Sequence, residues 1–199
     1  MFKRSFDIGC SLFGLILLSP ILILISIWIK IDSHGPVFFR QRRVGLNGKI
    51  FHIHKFRTMR VNAEHEGRLT IGNDSRITRS GAFLRKTKLD ELPQLIDVFL
   101  GSMSLVGPRP EVQEFIDYYP IDIRNKVLSV RPGITDRASI EMVDENQILA
   151  QYTDPRQAYI DIILPIKQKY YLDYVYNNGF FEDIIIIFAT IKKIIYRGN

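Results

Sequence analysis

The sequence is poor in cysteine and in residues that repeat with metal-ligand spacing. Its 199 residues include one cysteine, Cys10, and four histidines without a repeated spacing. A lone cysteine excludes an intrachain disulfide framework and a cysteine metal site, and it suits a reducing compartment. His52 and His54 alternate along an expected strand, so we interpret the histidines mainly as surface residues. The composition therefore excludes a fold stapled by disulfides.

Acidic residues are fewer than basic ones. The chain has 21 Asp and Glu against 27 Lys and Arg, which gives a formal net charge of +6 and a pI near 9.4. Such a balance favours anionic partners, namely nucleic acid, anionic lipid or a phosphorylated substrate. Because the chain also carries a long apolar segment, we expect membrane lipids and substrate phosphates as partners, and no nucleic acid.

Long apolar runs are absent except near the N-terminus. Residues 8–29 are uncharged throughout, enough to cross a bilayer as one helix. The run is longer than a usual signal-peptide core and no small-x-small cleavage site precedes Lys30, so we expect it to stay on the protein. Ser19 and Pro20 lie at its middle, where proline removes one intrahelical hydrogen bond and predicts a kink or break.

Basic residues flank this segment on both sides. Lys3 and Arg4 precede it, and basic residues also follow it, namely Lys30, Arg40, Arg42 and Arg43. By the positive-inside rule, both ends therefore carry a cytoplasmic signal. A re-entrant helix-break-helix anchor over residues 1–32 satisfies both ends, and a kinked transmembrane helix is the alternative. Residues 33–199 are then expected to form one cytoplasmic catalytic domain against the lipid headgroups.

The remaining sequence predicts an α+β fold that is mainly helical. Strand-like segments at 36–40 and 49–56 flank Asn47-Gly48, which favours a small antiparallel hairpin. Helical patterns follow at 80–89, 90–100 and 110–129. The segment 183–196 is too short to span a bilayer and is typical of an amphipathic helix, buried or interfacial, with core packing as the default.

The strongest chemical signal is the pair Asp90 and Glu91, followed by the turn Gly107–Pro110 that carries Arg109. A carboxylate can act as a nucleophile or a metal ligand, and an arginine can bind a phosphate through two hydrogen bonds. The combination therefore suits phosphoryl transfer. An ordinary capping acid beside a surface glutamate is the competing interpretation.

We expect this pair at the start of a helix. With Asp90 as the N-cap, Pro93 lies in the first turn, where its missing N–H costs nothing, and the apolar stripe ends at Gly101. The alternative N-cap, Thr87, would place Pro93 inside the helix. An anionic phosphate would meet exposed N–H groups at the positive end of the helix dipole.

Five motifs together resemble one family. They are Phe38-Phe-Arg-Gln-Arg-Arg-Val-Gly45, Lys55-Phe-Arg-Thr-Met59, Leu89-Asp-Glu-Leu-Pro-Gln-Leu95, Met103-Ser-Leu-Val-Gly-Pro-Arg-Pro110 and Arg131-Pro-Gly-Ile134. In this order they resemble the bacterial sugar transferases called monotopic phosphoglycosyl transferases, over roughly residues 1–135. Several motifs of independent composition are more specific than any one, so they outweigh the ordinary interpretation of Asp90 and Glu91.

The resemblance implies an enzyme at the cytoplasmic face of the bacterial inner membrane. Such an enzyme transfers a sugar 1-phosphate from a UDP-sugar to polyprenyl phosphate, commonly undecaprenyl phosphate, releases UMP, and so starts glycoconjugate assembly. Asp90 matches the nucleophile that forms a covalent phosphosugar intermediate. Glu91 matches the glutamate associated with Mg²⁺ and with positioning of the reactants.

Further site residues follow from the same motifs. The candidate substrate-binding residues are Arg85, Arg109, Lys55, Arg57 and Arg131. Arg85 and Arg109 match family arginines and are candidates for contacts with the donor phosphates. Lys55 and Arg57 are weaker candidates for the same role. Arg131 is a candidate for contact with the nucleotide or the lipid headgroups. Pro108 and Pro110 are expected to make the turn rigid.

The resemblance also bears on the anchor and on chain organisation. Ser19-Pro20 matches the helix-breaking pair of the family, which strengthens the re-entrant interpretation. The chain resembles the small form of these enzymes that consists of the catalytic domain alone. Its oligomeric state is left open.

Departures from the family pattern concern the substrate. Residues 136–143 replace a Gly-Trp and a Gln-Val-Asn-Gly stretch found in many members, so we expect a different sugar pocket, and the sequence names no sugar. Asp97 and Ser102 stand where members often carry asparagine and aspartate. Two alternatives remain open: a membrane-bound phosphohydrolase that passes its intermediate to water, and a non-enzymatic membrane adaptor.

Overall fold

The computed structural model describes residues 2–63, 74–142 and 145–197, and within them the protein is mainly helical with two small sheets. The helices are α1 (Phe2–Asp32), α2 (Arg79–Thr87), α3 (Gln94–Leu100), α4 (Gln113–Ile116), α5 (Ile121–Val127), α6 (Arg137–Glu141), α7 (Glu145–Leu149), α8 (Pro155–Ala158), α9 (Leu164–Asn177) and α10 (Phe180–Arg197). The strands are β1 (Phe38–Val44), β2 (Ile50–Phe56), β3 (Ser104–Val106) and β4 (Gly133–Thr135). The predicted α+β class is confirmed.

Helix α1 runs through Pro20 as one 31-residue element, so the expected division into two helices is not seen. Proline lacks an N–H, which leaves the carbonyl of Ile16 without its usual helical donor. The hydroxyl of Ser19 donates to that oxygen at 2.8 Å, so the serine compensates for the proline beside it. The re-entrant path and the boundary at residue 32 stay predictions.

The two ends of α1 are both bonded to the rest of the protein. Near its start, Arg4 donates to the carbonyl of Val98 at 2.6 Å, and buried Asp7 accepts a hydrogen bond from the hydroxyl of Ser104 at 2.9 Å. At its end, the Asp32 carboxylate accepts the backbone N–H of Ser80 at 2.9 Å. Helix α1 is therefore hydrogen-bonded to the rest of the described protein near both of its ends.

The opposite face of α1 is apolar and exposed. It carries Leu12, Phe13, Ile16, Leu17, Ile21, Ile23, Leu24, Ile27 and Ile31. On the inner face, Ile25 and Ile29 pack with Phe56 of β2 and Leu84 of α2. Among the described residues, α1 alone has the length and apolarity to cross a membrane. The helix thus has one face for the protein and one suited to lipid.

The predicted hairpin is present and longer than expected. Strands β1 and β2 pair antiparallel from Phe38 with Phe56 to Val44 with Ile50, so pairing extends beyond the predicted end of the first strand at residue 40. The connection contains Asn47 with φ of 54°, a left-handed conformation that asparagine tolerates. The hairpin fixes the position of Lys55 near the end of β2.

A second, parallel sheet holds the turn that follows β3. Ser104 pairs with Gly133 and Val106 with Thr135. A Cβ on Gly133 would lie 2.1 Å from the backbone nitrogen of Gly107, so only glycine allows this approach. The sequence did not predict this sheet, because it joins two three-residue strands far apart in the chain.

The C-terminal half supplies the main core and an exposed apolar helix. Tyr171 of α9 is buried with Phe115, Ile116 and Leu164 in the largest hydrophobic cluster among the described residues. The expected helix at 110–129 is two short helices, because Pro120 separates α4 from α5. Helix α10 exposes Phe181, Ile185, Phe188, Ile191 and Ile195. The other face packs in a core cluster through Ile186, with Val106 and Tyr174, as the default predicts. The helix is therefore amphipathic, with an exposed face typical of an interfacial helix.

Candidate active site

The local backbone around Asp90 differs from both predicted helix starts. Helix α2 ends at Thr87, and Lys88 takes a left-handed conformation with φ of 59°. A single 3₁₀ turn, Leu89–Glu91, follows, and α3 begins only at Gln94. Asp90 is therefore not the N-cap of α3, because the left-handed residue starts a separate turn before Pro93.

Glu91 is held by two cations. Arg109 donates to both of its carboxylate oxygens, at 3.0 Å from Nη1 to Oε2 and through a short contact from Nη2 to Oε1. Lys55 Nζ lies 2.9 Å from Oε1. Burial alone would raise the pKa of Glu91, but the two cations outweigh it and hold this pKa well below its ordinary value. Glu91 is therefore held in its charged form at neutral pH and fixed in position by the two cations.

Asp90 has a different environment. Its side chain is 8% exposed, and its Oδ1 atom is buried without a hydrogen-bond partner among the described residues. Burial raises the pKa of Asp90, the charge of Glu91 raises it further, and Lys55, Lys88 and Arg85 oppose the shift. An unpaired carboxylate oxygen with weakened solvation is more basic, which suits a nucleophile.

Three cations from three elements surround the pair. Lys55 comes from β2, Arg85 from the last turn of α2, and Arg109 from the turn after β3. Burial lowers the pKa of Lys55, which Glu91 partly restores, and burial also lowers the pKa of Arg85 despite the charge of Asp90. Arg85 Nε donates to Thr58 Oγ1 at 2.8 Å, which orients the guanidinium. The structure therefore brings together five of the predicted site residues.

Arg57 and Arg131 contact backbone carbonyls elsewhere. The buried guanidinium of Arg57 donates to the carbonyls of Ser33, at 2.9 Å, and His34, just after α1. Arg131 Nε donates to the carbonyl of Gly101, at the end of α3, at 3.0 Å. These contacts give both arginines a part in fixing helix ends.

The prolines beside Arg109 are buried and bonded on both sides. The carbonyl of Pro108 accepts the N–H of Gly133 at 3.0 Å, and that of Pro110 accepts from Arg43 at 2.9 Å. Because Pro108 and Pro110 are both held by hydrogen bonds, the backbone position from which the Arg109 side chain extends is fixed. This geometry agrees with the rigid turn expected from the sequence.

A cavity of about 420 Å³ opens beside Glu91 and Arg109. Its apolar wall includes Leu92 and Leu95 of α3 and Ile194 of α10. Its lysines are Lys86, Lys88, Lys167 and Lys193. Such a combination of cations and apolar walls fits a ligand with a phosphate and a hydrocarbon part.

Helix α6, within the segment that departs from the family pattern, forms another wall of this cavity. Ala138 and Ser139 line it together with Met142. The buried carboxylate of Asp136 caps α6 by accepting the N–H of Ser139 at 2.9 Å, and burial raises its pKa. Of the segment 136–143, residue 143 lies outside the described residues.

Sequence reasoning missed a buried charged cluster from the C-terminal half. Lys167 of α9 lies 2.8 Å from Glu145 and 3.2 Å from the hydroxyl of Tyr159, which donates to Glu111 at 2.7 Å. A polar cavity of about 160 Å³ adjoins it, and Arg109 lines both cavities. Helical spacing is the signal that could have identified Lys167, because it puts this lysine on the same face of α9 as the buried residues Leu164 and Tyr171.

One histidine departs from the surface prediction. His54 Nδ1 lies 2.7 Å from Asp97 Oδ1, and the backbone N–H of His54 donates to Asp97 Oδ2 at 2.8 Å. His34 and His52 are exposed, as expected, and His65 lies outside the described residues. Asp97, one of the departures from the family pattern, is thus satisfied by the hairpin.

The carboxylates fit a magnesium ion that is completed by a substrate. The described residues contain no group of three or more His, Cys, Asp or Glu that could hold a metal. Magnesium is commonly bound through one or two carboxylates together with substrate phosphates, so a large cluster is not required. Glu91 Oε2 accepts one hydrogen bond, from Arg109, and keeps a second lone pair for a cation.

The sequence is similar to a known protein family and to several characterised proteins. A family model for bacterial sugar transferases matches residues 1–197, beyond the resemblance seen over 1–135. The exopolysaccharide production protein PSS of Rhizobium leguminosarum bv. phaseoli is 38% identical over 210 residues, covering 99% of this chain and 96% of that protein.

Two further relatives are longer. The UDP-glucose:undecaprenyl-phosphate glucose-1-phosphate transferase of Escherichia coli (strain K12) is 37% identical over 97% of this chain and 40% of its own length. The UDP-N-acetylgalactosamine-undecaprenyl-phosphate N-acetylgalactosaminephosphotransferase of Aeromonas hydrophila is 36% identical over 97% of this chain and 43% of its own length. The chain thus spans less than half of these two relatives. With the family model matched over nearly all of its length, the chain belongs to the bacterial sugar transferase family.

Proposed function

We propose that this protein transfers a sugar 1-phosphate from a UDP-sugar to polyprenyl phosphate and releases UMP. The observation that carries the proposal is the arrangement of the carboxylate pair: Asp90 is buried with an unpaired oxygen, while Glu91 is clamped by Arg109 and Lys55. Two adjacent carboxylates in opposite electrostatic states suit two different roles. The names of the relatives, which include undecaprenyl-phosphate glucose-1-phosphate transferases, support the same reaction class.

The first step is attack by Asp90 on the β-phosphorus of the donor. A bond forms between the carboxylate oxygen and phosphorus, the bond to the bridging oxygen breaks, and its electron pair leaves with UMP. Arg85 and Lys55 lie where they can offset charge on the phosphoryl oxygens, while Arg109 stays paired with Glu91. No proton transfer is needed, because both the nucleophile and the leaving group are anionic.

The second step returns the enzyme to its starting state. A phosphate oxygen of the acceptor attacks the phosphorus of the aspartyl intermediate, and the electron pair of the breaking bond returns to Asp90. Burial of Asp90 limits attack by water on this intermediate, since its side chain is 8% exposed. Two half-reactions at one carboxylate let a small site serve a soluble donor and a lipid acceptor in turn.

We further propose that Glu91 holds Mg²⁺ together with substrate phosphate oxygens. The ion would neutralise phosphate charge and so reduce the repulsion between the donor and the two carboxylates. Lys55 and Arg109 fix the carboxylate of Glu91 so that its remaining lone pair keeps one direction.

The larger cavity is the proposed place of the acceptor. Lys86, Lys88 and Lys193 provide cations for its phosphate, and Leu92 and Ile194 provide an apolar wall for the first part of its hydrocarbon chain. Ile194 belongs to α10, whose exposed face carries further large apolar side chains. The cavity is therefore continuous with a helix suited to the membrane surface, from which a lipid acceptor would arrive.

The contacts of α1 support a re-entrant anchor. Residues at both of its ends are hydrogen-bonded to the same catalytic part, through Arg4 and Asp7 at the start and Asp32 at the end. A helix that crossed the bilayer would hold one end about 30 Å from that part. With basic residues at both ends, we place the catalytic part on the cytoplasmic face of the bacterial inner membrane.

The test is nucleotide release by protein in nanodiscs, with Mg²⁺, a panel of UDP-sugars, and polyprenyl phosphate present or absent. We expect UMP that depends on acceptor beyond one equivalent of enzyme, and no UMP from Asp90→Asn. UMP formed at the same rate without acceptor would instead identify a phosphohydrolase. UDP as the product, or turnover by Asp90→Asn, would overturn the proposal.

A further inference from the structure

Gln94, the first residue of α3, has an unusual environment for a buried amide. Its side chain is 1% exposed, and neither Nε2 nor Oε1 has a hydrogen-bond partner in the described part of the chain. Buried side-chain amides nearly always have hydrogen-bond partners, and a buried donor or acceptor without one lowers the stability of the fold. No hydrogen bond within the described residues therefore accounts for the presence of this amide.

Gln94 lies one helical turn after Asp90. The residues between them keep right-handed helical angles, with φ and ψ of −54° and −37° at Leu92 and −60° and −15° at Pro93. The N–H of Leu92 donates to the carbonyl of Leu89 at 3.3 Å and the N–H of Leu95 to that of Leu92 at 3.1 Å, so the segment from 89 to 95 is one tight right-handed path. The amide therefore lies little more than one turn along this path from the nucleophile.

The unpaired atoms occur together at this place. Asp90 Oδ1 is buried without a partner as well, so the 89–94 segment carries three such atoms. Separate unpaired atoms can be packing accidents, but three within one turn indicate that a ligand completes the site. The ligand must bring both acceptors and an electrophilic atom for the carboxylate.

We propose that the Gln94 carboxamide binds the phosphoryl group that Asp90 attacks, with Nε2–H donating to a non-bridging phosphoryl oxygen. This inference rests on the proposed function. A neutral amide suits the position, because a cation there would pair with Asp90 and weaken it as a nucleophile. Gln94 keeps both of its protons throughout. It stabilises charge on the phosphoryl oxygens while the bond from Asp90 forms and the bond to UMP breaks.

The test is Gln94→Met, which keeps side-chain length and removes both polar atoms. We expect kcat for UMP release to fall roughly 100-fold, as for removal of one oxyanion donor, with a smaller change in KM for the UDP-sugar. The midpoint of thermal unfolding should stay the same or rise, because an unpaired amide is replaced by an apolar group. If Gln94 served only the fold, Gln94→Met would instead lower the unfolding midpoint and leave the kcat of the folded protein unchanged.

A second variant and a control sharpen the result. Gln94→Glu keeps the shape but replaces the donor with an acceptor, so its kcat should fall at least as far as that of Gln94→Met. Tyr119→Phe removes another buried hydroxyl that lacks a partner among the described residues, and it should not change kcat. This control separates loss of a buried polar atom in general from loss of the Gln94 amide.

The outcomes separate this inference from the proposed function. If the unmodified protein gives no acceptor-dependent UMP, the proposed function fails and the inference fails with it. If the unmodified protein turns over and Gln94→Met matches its kcat, the inference alone is overturned. A Gln94→Met protein that unfolds, or loses activity only in proportion to folded fraction, also overturns it, because the amide would then serve the fold.

Discussion

At the level of single residues, Asp90 and Glu91 show how neighbours in sequence acquire opposite electrostatic states. Their motif predicts that both belong to one site with Arg109, and in the structure Arg109 is paired with Glu91, the neighbour of Asp90. The sequence did not reveal which carboxylate would be paired. That depends on where Lys55 and Arg109 arrive from β2 and from the turn after β3, which is a property of tertiary packing.

Asp90→Asn should be more stable than the unmodified protein at neutral pH. Burial raises the pKa of Asp90, so ionising it opposes folding once the pH exceeds its ordinary value of 3.8. A raised pKa in the folded state means that the contribution of Asp90 to stability is present at low pH and lost as the pH rises through that pKa. The neutral variant avoids this loss.

The measurement is thermal unfolding of both proteins across pH. We expect the midpoint of Asp90→Asn to be a few degrees higher at pH 7 to 8, with the difference shrinking on acidification toward the ordinary carboxyl pKa. Equal midpoints at every pH would mean that Asp90 is not penalised by burial.

Arg109→Met should lose both activity and stability. The ion pairs hold the pKa of Glu91 well below its ordinary value of 4.5, so they stabilise the fold above that pH and are lost only in strong acid. Without Arg109, the carboxylate stays buried with Lys55 alone. We expect destabilisation of about 2 to 3 kcal/mol at neutral pH, by denaturant unfolding.

The double variant Glu91→Gln with Arg109→Met separates the two effects. Removing both charges leaves no uncompensated carboxylate, and Lys55 keeps the charge of Asp90 nearby, so part of the lost stability should return. Activity should not return, because the fixed carboxylate of Glu91 is not restored. A double variant as unstable as Arg109→Met would show that Arg109 acts mainly through packing.

At the level of elements, local patterns were predictable and long-range pairings were not. The hairpin β1–β2 follows from neighbouring strands and Asn47-Gly48, so sequence spacing was sufficient. The parallel pair β3–β4 is as important to the site, since it carries Arg109, but each strand has three residues and no periodic pattern. Helical spacing places Lys167 on one face of α9 with Leu164, Tyr171 and Tyr174, but which face is buried depends on the packing of α9 against the rest of the protein.

Helix α10 should contribute to membrane binding through its exposed apolar face. Phe188 is 67% exposed, so Phe188→Asp removes apolar contact with lipid while leaving the protein interior unchanged. We expect weaker binding to anionic vesicles in a flotation assay and an unchanged unfolding midpoint in detergent. The matched control is Ile121→Asp on α5, also exposed, and equal loss of binding by both variants would remove α10 as a specific contact.

For the whole molecule, the arrangement of α1 determines topology. A 31-residue helix is about 45 Å long, enough to cross a bilayer, so length alone does not decide between crossing and re-entry. Asp7 and Asp32, 25 positions apart, both accept hydrogen bonds from the rest of the protein, Asp7 from Ser104 and Asp32 from Ser80. These bonds support our proposal that the start of the chain lies on the same side of the membrane as the domain.

Cysteine labelling in cells tests this topology. In a Cys10→Ser background, Ser5→Cys reports the start of α1 and Asn177→Cys reports the domain, and both positions are exposed. A membrane-impermeant maleimide should label both in inside-out vesicles and neither in intact spheroplasts, because both lie on the cytoplasmic side. Labelling of Ser5→Cys from the outside, with Asn177→Cys still protected, would instead require α1 to cross the membrane and its N-terminal hydrogen bonds to break.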